Sequence, residues 1–386
     1  MILNSGRTAP ANGRSTGALL VALLVLALPA RSEVPLGLPP VPVPADNPVT
    51  PAKVALGARL FTDLRFSRTG TIACATCHDP VKAFTDSPLE TSEGVNHLNG
   101  TRNAPTLANV AYYRRFFWDG RSRSLEDQSR HPFVNPVEMG LPDFAPILDL
   151  IHSDPEYVRL FREAFGTETA RTGMPEVSKA LASYERTLVY GDSPFDRWFY
   201  GHDAGALTVA AQRGFKVFME QGRCQSCHTI EGGYALFTDN RFHNIGVGIQ
   251  RVEADLAKLE TSWMTAKARG INIDKSVLSN DASAELGHFA LSDAPDDIGA
   301  FKTPSLRNVA LTPPYMHDGS LATLRDVIQH YDHGGVLDAS RPVSVFVSSG
   351  IRPLHLTDGQ IDDLIAFLES LTSPSLGSVT AVERRP

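Results

Sequence analysis

The stretch CATCH at residues 74–78 decides the fold, and it returns as CQSCH at residues 224–228. All 4 cysteines of the 386-residue chain lie in these two C-x-x-C-H motifs. Two thiols at this spacing can add across the vinyl groups of a porphyrin, and the adjacent imidazole then reaches the iron from one face. The motifs therefore predict two covalently attached c-type haems. The predicted attachment residues and proximal iron ligands are Cys74, Cys77, His78, Cys224, Cys227 and His228.

Two other interpretations of the cysteines are weaker. Four cysteines in an exported chain ordinarily form two disulfides, and a C-x-x-C pair can bind zinc or act in redox exchange. Neither explains why a histidine follows both pairs. With 4 cysteines and 12 histidines in the chain, one chance match to the motif has a probability of roughly one in a thousand, and two matches are far rarer.

The N-terminus predicts export from the cytoplasm. Arg7 and Arg14 give a positive flank, residues 17–28 are continuously apolar, and Ala30 and Ser32 supply the small residues of a cleavage site. A membrane anchor is the alternative, but the apolar run is short for a span. We therefore expect cleavage near Ser32 and no membrane span in the mature protein.

The composition is that of a soluble globular protein. Hydrophobic residues make up 42% and charged residues 20%, and the formal net charge is -7. The chain has no long basic run, which argues against nucleic acid as a partner.

The chain repeats one plan. Amphipathic helices predicted at 54–61 and 210–218 each lead into a C-x-x-C-H motif, and few segments alternate with period two. The expected fold is mainly α, with two cytochrome c-like domains that each bind one haem under long covering loops. Further helices are predicted at 155–165, 177–190, 252–269 and 358–371. The predicted segments are a signal peptide at 1–32, a Pro-rich arm at 33–50, domain 1 at 51–200, domain 2 at 205–372 and a flexible tail at 373–386.

Six further strings specify the class of protein more closely than the motifs do. They are GTRNAPTL at 100–107, FWDGR at 117–121, LEDQ at 125–128, NPVEMG at 135–140, FKTPSLRNV at 301–309 and TPPYMHDG at 312–319. In this order and spacing they closely resemble the bacterial di-haem cytochrome c peroxidase family, which includes MauG-type enzymes. The resemblance covers roughly residues 50–372 and implies a periplasmic location.

The resemblance implies a role for each residue that matches one of the family's strings. The haem at His78 is similar to the family's peroxide-binding haem, and the haem at His228 to its electron-transfer haem. Trp118 matches the tryptophan between the two haems, although a core tryptophan would be the plainer interpretation. Glu138 and Gln128 match the distal pocket, where a carboxylate can take a proton from peroxide and return it to the leaving oxygen. Without the resemblance, Glu138 would be an exposed residue of a Pro-rich loop.

A calcium site is also implied by the resemblance alone. Asn103, Thr312 and Pro314 match the family's site, which uses one amide oxygen and two backbone carbonyls, the hard donors that Ca²⁺ prefers. By itself, Asn103 would be a turn residue.

Two axial ligands stay open. Tyr331 stands where donor-driven peroxidases of the family have methionine and MauG-type enzymes have tyrosine, but His330 and His333 are competing ligands, and a structural tyrosine is a further alternative. Phenolate oxygen favours Fe(III), whereas thioether sulfur favours Fe(II). His97 lies in the loop that supplies a gating ligand to the first haem in donor-driven enzymes, and it is equally an ordinary loop residue.

Three functions compete. The chain could reduce hydrogen peroxide with electrons from a small redox protein, or use peroxide to oxidise aromatic residues of a partner protein, as MauG-type enzymes do. It could also be a non-catalytic electron carrier. Glu138 and Gln128 argue against the carrier and Tyr331 favours the MauG-like branch, so the sequence predicts peroxidase chemistry. Homodimerisation is left open.

Overall fold

The computed structural model describes residues 1, 2, 6, 34–166, 172–336, 340 and 342–383. Residues Val34–Pro386 belong to one compact unit. The signal peptide predicted at 1–32 and its cleavage site lie almost wholly outside the described residues. Within the part of the chain that is described, no helix is both long and apolar enough to cross a membrane.

Eight helices lie in the described part of the first half. They are α1 Pro51–Phe61, α2 Cys74–Cys77, α3 Leu125–Gln128, α4 His131–Val134, α5 Ala145–Ser153, α6 Pro155–Phe165, α7 Met174–Glu185 and α8 Pro194–Phe199. Thr50 caps α1 by accepting a hydrogen bond from the Lys53 amide at 3.3 Å, and Pro51 occupies the first turn, where no donor is lost. Gly57 lets α1 cross α7 closely, because a Cβ there would lie 2.1 Å from the Ala180 carbonyl oxygen.

The second half repeats this packing. Its elements are α9 Val209–Met219, β1 Phe242–His243, α10 Leu256–Ala268, α11 Ile273–Ser279, α12 Asp281–Ala284, α13 Phe289–Ser292, β2 Phe301–Lys302, α14 Leu324–Asp332, α15 Asp358–Glu369 and α16 Pro374–Glu383. Thr208 caps α9, as Thr50 caps α1. Gly214 lets α9 meet α15, since a Cβ there would lie 1.9 Å from the Asp363 carbonyl oxygen. The helix-and-motif repeat of the sequence is therefore also a repeat in space.

The mainly α expectation is confirmed. Strands β1 and β2 form a single antiparallel ladder among the described residues, with Phe242 opposite Lys302. The predicted helix at 155–165 has its predicted bounds as α6. The helix predicted from residue 252 begins at Leu256 as α10, because 3₁₀ turns at 249–251 and 253–255 precede it.

The buried apolar side chains of the described residues form three hydrophobic cores. The first belongs mainly to the first half, and the second belongs to the second half around Phe218 and Phe367. The third gathers residues 249–298 around the buried Trp263 and Leu286. This third core holds the insertion between β1 and β2, which the sequence did not predict as a separate packing unit.

The Pro-rich arm contacts both halves. As expected, residues 34–50 form no helix or strand. The Gly37 carbonyl accepts hydrogen bonds from Arg307 Nη2 at 2.5 Å and from the Ala235 amide at 3.0 Å, both in the second half. The buried Asn47 donates to Glu126 of the first half at 2.8 Å.

The two halves also exchange helices, which corrects one prediction. Phe195 of α8 lies within the predicted domain 1 at 51–200 but is fully buried in the second core. The tail from residue 373 was expected to be flexible and instead forms α16, whose Leu376 is 1% exposed in the first core. Ser373 anchors the start of this helix by donating its amide hydrogen to Asn308 Oδ1 at 2.8 Å. A buried leucine and a hydrogen bond at the helix start thus hold a segment whose composition is typical of a tail.

Candidate haem and peroxide site

The first motif forms a short helical turn with its histidine directly after it. α2 covers the two cysteines, and the His78 imidazole donates from Nδ1 to the Phe84 carbonyl at 3.2 Å. Burial lowers the pKa of His78, which favours the neutral ring. The hydrogen bond at Nδ1 leaves Nε2 to bind iron.

The second motif has the same local arrangement. A 3₁₀ turn covers residues 224–226, and His228 Nδ1 donates to the Phe237 carbonyl at 2.9 Å. Burial lowers the pKa of His228. Phe84 and Phe237 each begin a Phe-Thr-Asp string after their motif, so the repeat reaches beyond the cysteines.

The residues of both motifs fit covalent haem. No disulfide joins the four cysteines, so each of them remains available for attachment to a haem vinyl group. Each motif histidine has one ring nitrogen fixed by a carbonyl, which orients the other nitrogen toward an iron. If a haem binds at each motif, His78 and His228 would each ligate one iron, and the haems would supply one-electron chemistry.

Trp118 lies where the two halves meet. Its Nε1 donates to the Asn103 carbonyl at 2.9 Å, and its own carbonyl accepts from the Lys302 amide at 2.8 Å. In return, the Asn103 amide donates to the His317 carbonyl at 2.9 Å. Asn103 and Lys302 hold equivalent places before the repeated Pro-Thr/Ser-Leu strings, and Trp118 and His317 hold equivalent places before the repeated Asp-Gly. The junction is therefore a reciprocal pair of main-chain hydrogen bonds.

Glu138 places a carboxyl group beside the first motif. Its Oε2 is buried and has no hydrogen-bond partner among the described residues. Burial, reinforced by the negative charge of Asp274, raises the pKa of Glu138 to about 7. Burial is also the main cause of the raised pKa values of the Cys74 and Cys77 thiols, and the charge of Glu138 contributes to both. This is the environment that a carboxyl group needs to exchange protons near neutral pH.

A buried charge network behind Glu138 was not predicted from the sequence. Arg121 Nε donates to Asp274 at 2.7 Å, and Arg121 Nη1 lies 3.0 Å from Asp119. His131 Nδ1 lies 3.5 Å from Asp274. Burial opposes ionisation of Asp274, but the hydrogen bond from His131 and the charge of Arg121 keep its pKa well below the usual range. Asp274 comes from α11 of the third core, and no motif in the sequence marks it.

Gln128 ends the short helix α3. The side chain is half-buried and forms no hydrogen bond with other described residues, so its amide is available to a ligand. Ser124 begins the helix by accepting a hydrogen bond from the Asp127 amide at 3.0 Å. Glu126 of the same helix is bound to Arg186 at 2.7 Å.

Tyr331 is buried in the second half. Burial raises the pKa of Tyr331, and the charges of Cys227 and Cys224 add to this effect, so the phenol lies within electrostatic range of both attachment residues. His330 is buried, and its Nε2 is bound to the Ile245 carbonyl at 2.7 Å. His333 follows the end of α14.

The remaining predicted ligands lie in loops. His97 is 88% exposed, and its Nδ1 is 2.6 Å from Glu93 Oε1. Asn103 is buried, and its Nδ2 donates to the carbonyls of Leu89 and Glu90 at 3.3 and 3.1 Å. The other two predicted calcium ligands, the half-buried Thr312 and the buried Pro314, follow the string at 301–309.

Together, the fold and the two C-x-x-C-H motifs define the class of covalent di-haem proteins. The family described as di-haem cytochrome c peroxidase matches residues 51–204, and the cytochrome c family matches residues 211–372. The chain is 38% identical to the methylamine utilization protein MauG of Methylorubrum extorquens over 86% of this chain and 81% of that protein. It is also 38% identical to the cytochrome-c peroxidase IdrP1 of Denitromonas iodatirespirans, over 88% and 86%.

A solved structure shares the fold. The crystal structure of a MauG-like protein associated with microbial copper homeostasis superposes with a TM-score of 0.72 at 33% identity, covering 89% of this chain and 96% of that one. The chain belongs to the di-haem cytochrome c peroxidase family, is a peroxidase-type oxidoreductase and carries c-type haems.

Proposed function

We propose that the protein reduces hydrogen peroxide in the periplasm at the haem held by His78. The haem held by His228 relays or stores oxidising equivalents through Trp118. The observation that carries this proposal is the buried, unpartnered Glu138 oxygen beside the first motif, with its carboxyl pKa raised to about 7. An electron carrier needs no such group, which makes that alternative the weakest of the three.

The chain's own residues handle the protons. Reduction of H₂O₂ to two waters consumes two electrons and two protons, and the bound haem supplies electrons for breaking the O–O bond. Glu138 as carboxylate accepts the proton of the attacking peroxide and returns it to the departing oxygen, so that the leaving group is water. Burial is the main reason that the pKa of Glu138 is raised to about 7; the charge of Asp274 adds to this effect, and the charge of Arg121 opposes it. Gln128, whose amide forms no hydrogen bond with other described residues, is proposed as the second polar group of the distal pocket.

The variant Glu138→Gln tests the assignment. It should keep both haems but react with peroxide at least about 100-fold more slowly, the usual scale of acid–base help. The matched control is Glu185→Gln, because Glu185 is also buried, also has an unpartnered oxygen and also lies near Cys74. Stopped-flow mixing of the ferric proteins with peroxide measures both rates. If Glu138→Gln is as fast as the parent, the acid–base role belongs to another residue.

A second candidate function is the MauG-like oxidation of aromatic residues in a partner protein. Tyr331 supports it, because the phenol lies within electrostatic range of both cysteines of the second motif while His330 is bound to a backbone carbonyl. Phenolate ligation would hold that haem ferric. Ascorbate should then leave both haems oxidised, and peroxide should change the spectra of both haems without prior reduction. Tyr331→Phe should abolish the change at the second haem only.

The donor-driven alternative makes the opposite prediction. Ascorbate would reduce the second haem, and peroxide would react only after that reduction, once a ligand such as His97 had left the first iron. In that case a small redox protein would supply the electrons. The ascorbate titration therefore separates the two branches, and His97→Ala would remove the need for prior reduction only in the donor-driven case.

Calcium is proposed at Asn103, Thr312 and Pro314. Asn103 Oδ1 accepts no hydrogen bond from the described residues. The Asn103 main-chain amide donates a hydrogen bond to the His317 carbonyl, which brings the loop of Asn103 close to the loop that contains Thr312 and Pro314. Elemental analysis of the purified holoprotein should find about one calcium per chain, and Asn103→Ala should remove it.

A further inference from the structure

Lys302 is a buried cation with no anion. The residue is 7% exposed, and its Nζ lies 3.1 Å from the centre of the Tyr113 ring. Within the described part of the chain the ammonium forms no ion pair and no hydrogen bond. Burial alone lowers the pKa of Lys302 to about 7. An aromatic face offsets only part of the cost of removing an ammonium group from water, so the native protein should supply a negative partner.

Lys302 belongs to the second haem site. The carbonyl of Pro304, two residues further on, lies beside the His228 imidazole. Strand β2 pairs with β1, whose His243 has a ring nitrogen within 4.8 Å of Cys227 Sγ. A c-type haem attached at Cys227 brings two carboxylate groups of its own into this region.

We propose that the Lys302 ammonium pairs with a carboxylate of the haem held by His228. Lys302 is thus a positioning residue, because its main chain also holds Trp118 through the 2.8 Å amide-to-carbonyl hydrogen bond. The same residue ties the edge of the second haem to the tryptophan between the halves. The buried guanidinium groups of Arg121 and Arg307, by contrast, already have carboxylate partners.

The pairing distinguishes the two halves by the source of their positive charge. The equivalent position in the first half is Asn103, a neutral side chain and a proposed calcium ligand, whereas Lys302 carries its charge on the side chain itself. Ferric haem has one more positive charge than ferrous haem, so a haem carboxylate left without a cation stabilises the ferric form. The proposal rests on the two-haem assignment within the proposed function, and not on peroxide chemistry.

The test is a spectroelectrochemical titration of each haem in the full-length holoprotein. Lys302→Met should shift the ferric/ferrous equilibrium of the His228 haem about tenfold toward ferric, which is 59 mV for a one-electron couple. Lys302→Arg keeps the charge and should stay near the parent. Lys216→Met removes a lysine from the same half that is 72% exposed, and it should change the equilibrium little.

Every outcome decides the proposal. A Lys302→Met potential that matches Lys216→Met overturns it, and Lys302→Gln is titrated in parallel as a second neutral variant. If both neutral variants lose the second haem while Lys302→Arg retains it, the charge is required, as the pairing demands. If Lys302→Arg loses that haem as well, Lys302 acts through packing and the pairing is rejected. Because peroxide is absent from the titration, failure of the proposed peroxidase activity would leave this result unaffected.

Discussion

The pH dependence of the peroxide reaction should follow the ionisation of Glu138. Burial raises its pKa from 4.5 to about 7, and the carboxylate is the form that accepts the peroxide proton. The carboxylate fraction is therefore about one tenth at pH 6 and about nine tenths at pH 8. The bimolecular rate of the ferric protein with peroxide should rise about tenfold across that interval and then level off.

Asp274 gives this prediction an independent check. Its negative charge raises the pKa of Glu138, while Arg121 lowers it. Asp274→Asn removes the first effect and releases Arg121 from its 2.7 Å ion pair, so both changes favour the Glu138 carboxylate. The midpoint of the rate profile should fall by roughly one pH unit. Stopped-flow measurements from about pH 5 to pH 9 record it. A parent rate that is flat between pH 6 and pH 8, or a Glu138→Gln variant that keeps the parent profile, would refute the reasoning.

Three other predictions concern attachment and stability. Mass spectrometry should show two added haems in the mature protein, and Cys224→Ala should lose the mass of one; an unchanged mass would reject the attachment site. Gly214→Ala should lower Tm because its Cβ would meet the Asp363 carbonyl oxygen at 1.9 Å, whereas Gly359→Ala, with open space around it, should not; equal effects would contradict the close helix crossing. Burial raises the pKa of Glu185 to about 8, so its ionisation destabilises the fold as pH rises from about 4.5 through 8. Glu185→Gln should therefore raise Tm more at about pH 9 than at about pH 6, and a pH-independent difference would argue against a buried titration.

The haem ligands could be predicted because their chemistry is local in sequence. His78 and His228 each follow their cysteines directly, so spacing alone identifies them. Glu138 has no local signature, and only the strings that resemble a known family pointed to it. Asp274 could not be predicted, because it reaches the pocket from an insertion that packs as its own core. Its importance depends on a long-range ion pair, and pairing across the chain leaves no pattern in composition or periodicity.

Lys302 is an intermediate case. Its burial could not be foreseen, since lysines are rarely buried without a partner. Its equivalence to Asn103 could have been predicted, because the Pro-Thr-Leu string at 105–107 aligns with the Pro-Ser-Leu string at 304–306. The repeat predicted from the sequence comprised only the helix and the cysteine motif. The prediction for the tail was wrong for a different reason, because composition describes the average of a segment, whereas α16 is held by specific contacts of Ser373 and Leu376.

The exchange of helices between the halves has a consequence for how this chain can be dissected. A cut in the linker at 201–205 would leave α8 with the first fragment, although Phe195 completes the second core. The same cut would leave α16 with the second fragment, although Leu376 completes the first core. It would also separate Arg307 from both Asp196 and the Gly37 carbonyl, stranding a buried guanidinium. Neither half of the repeat therefore contains all the residues of its own hydrophobic core. We expect the two halves to fold only as one unit.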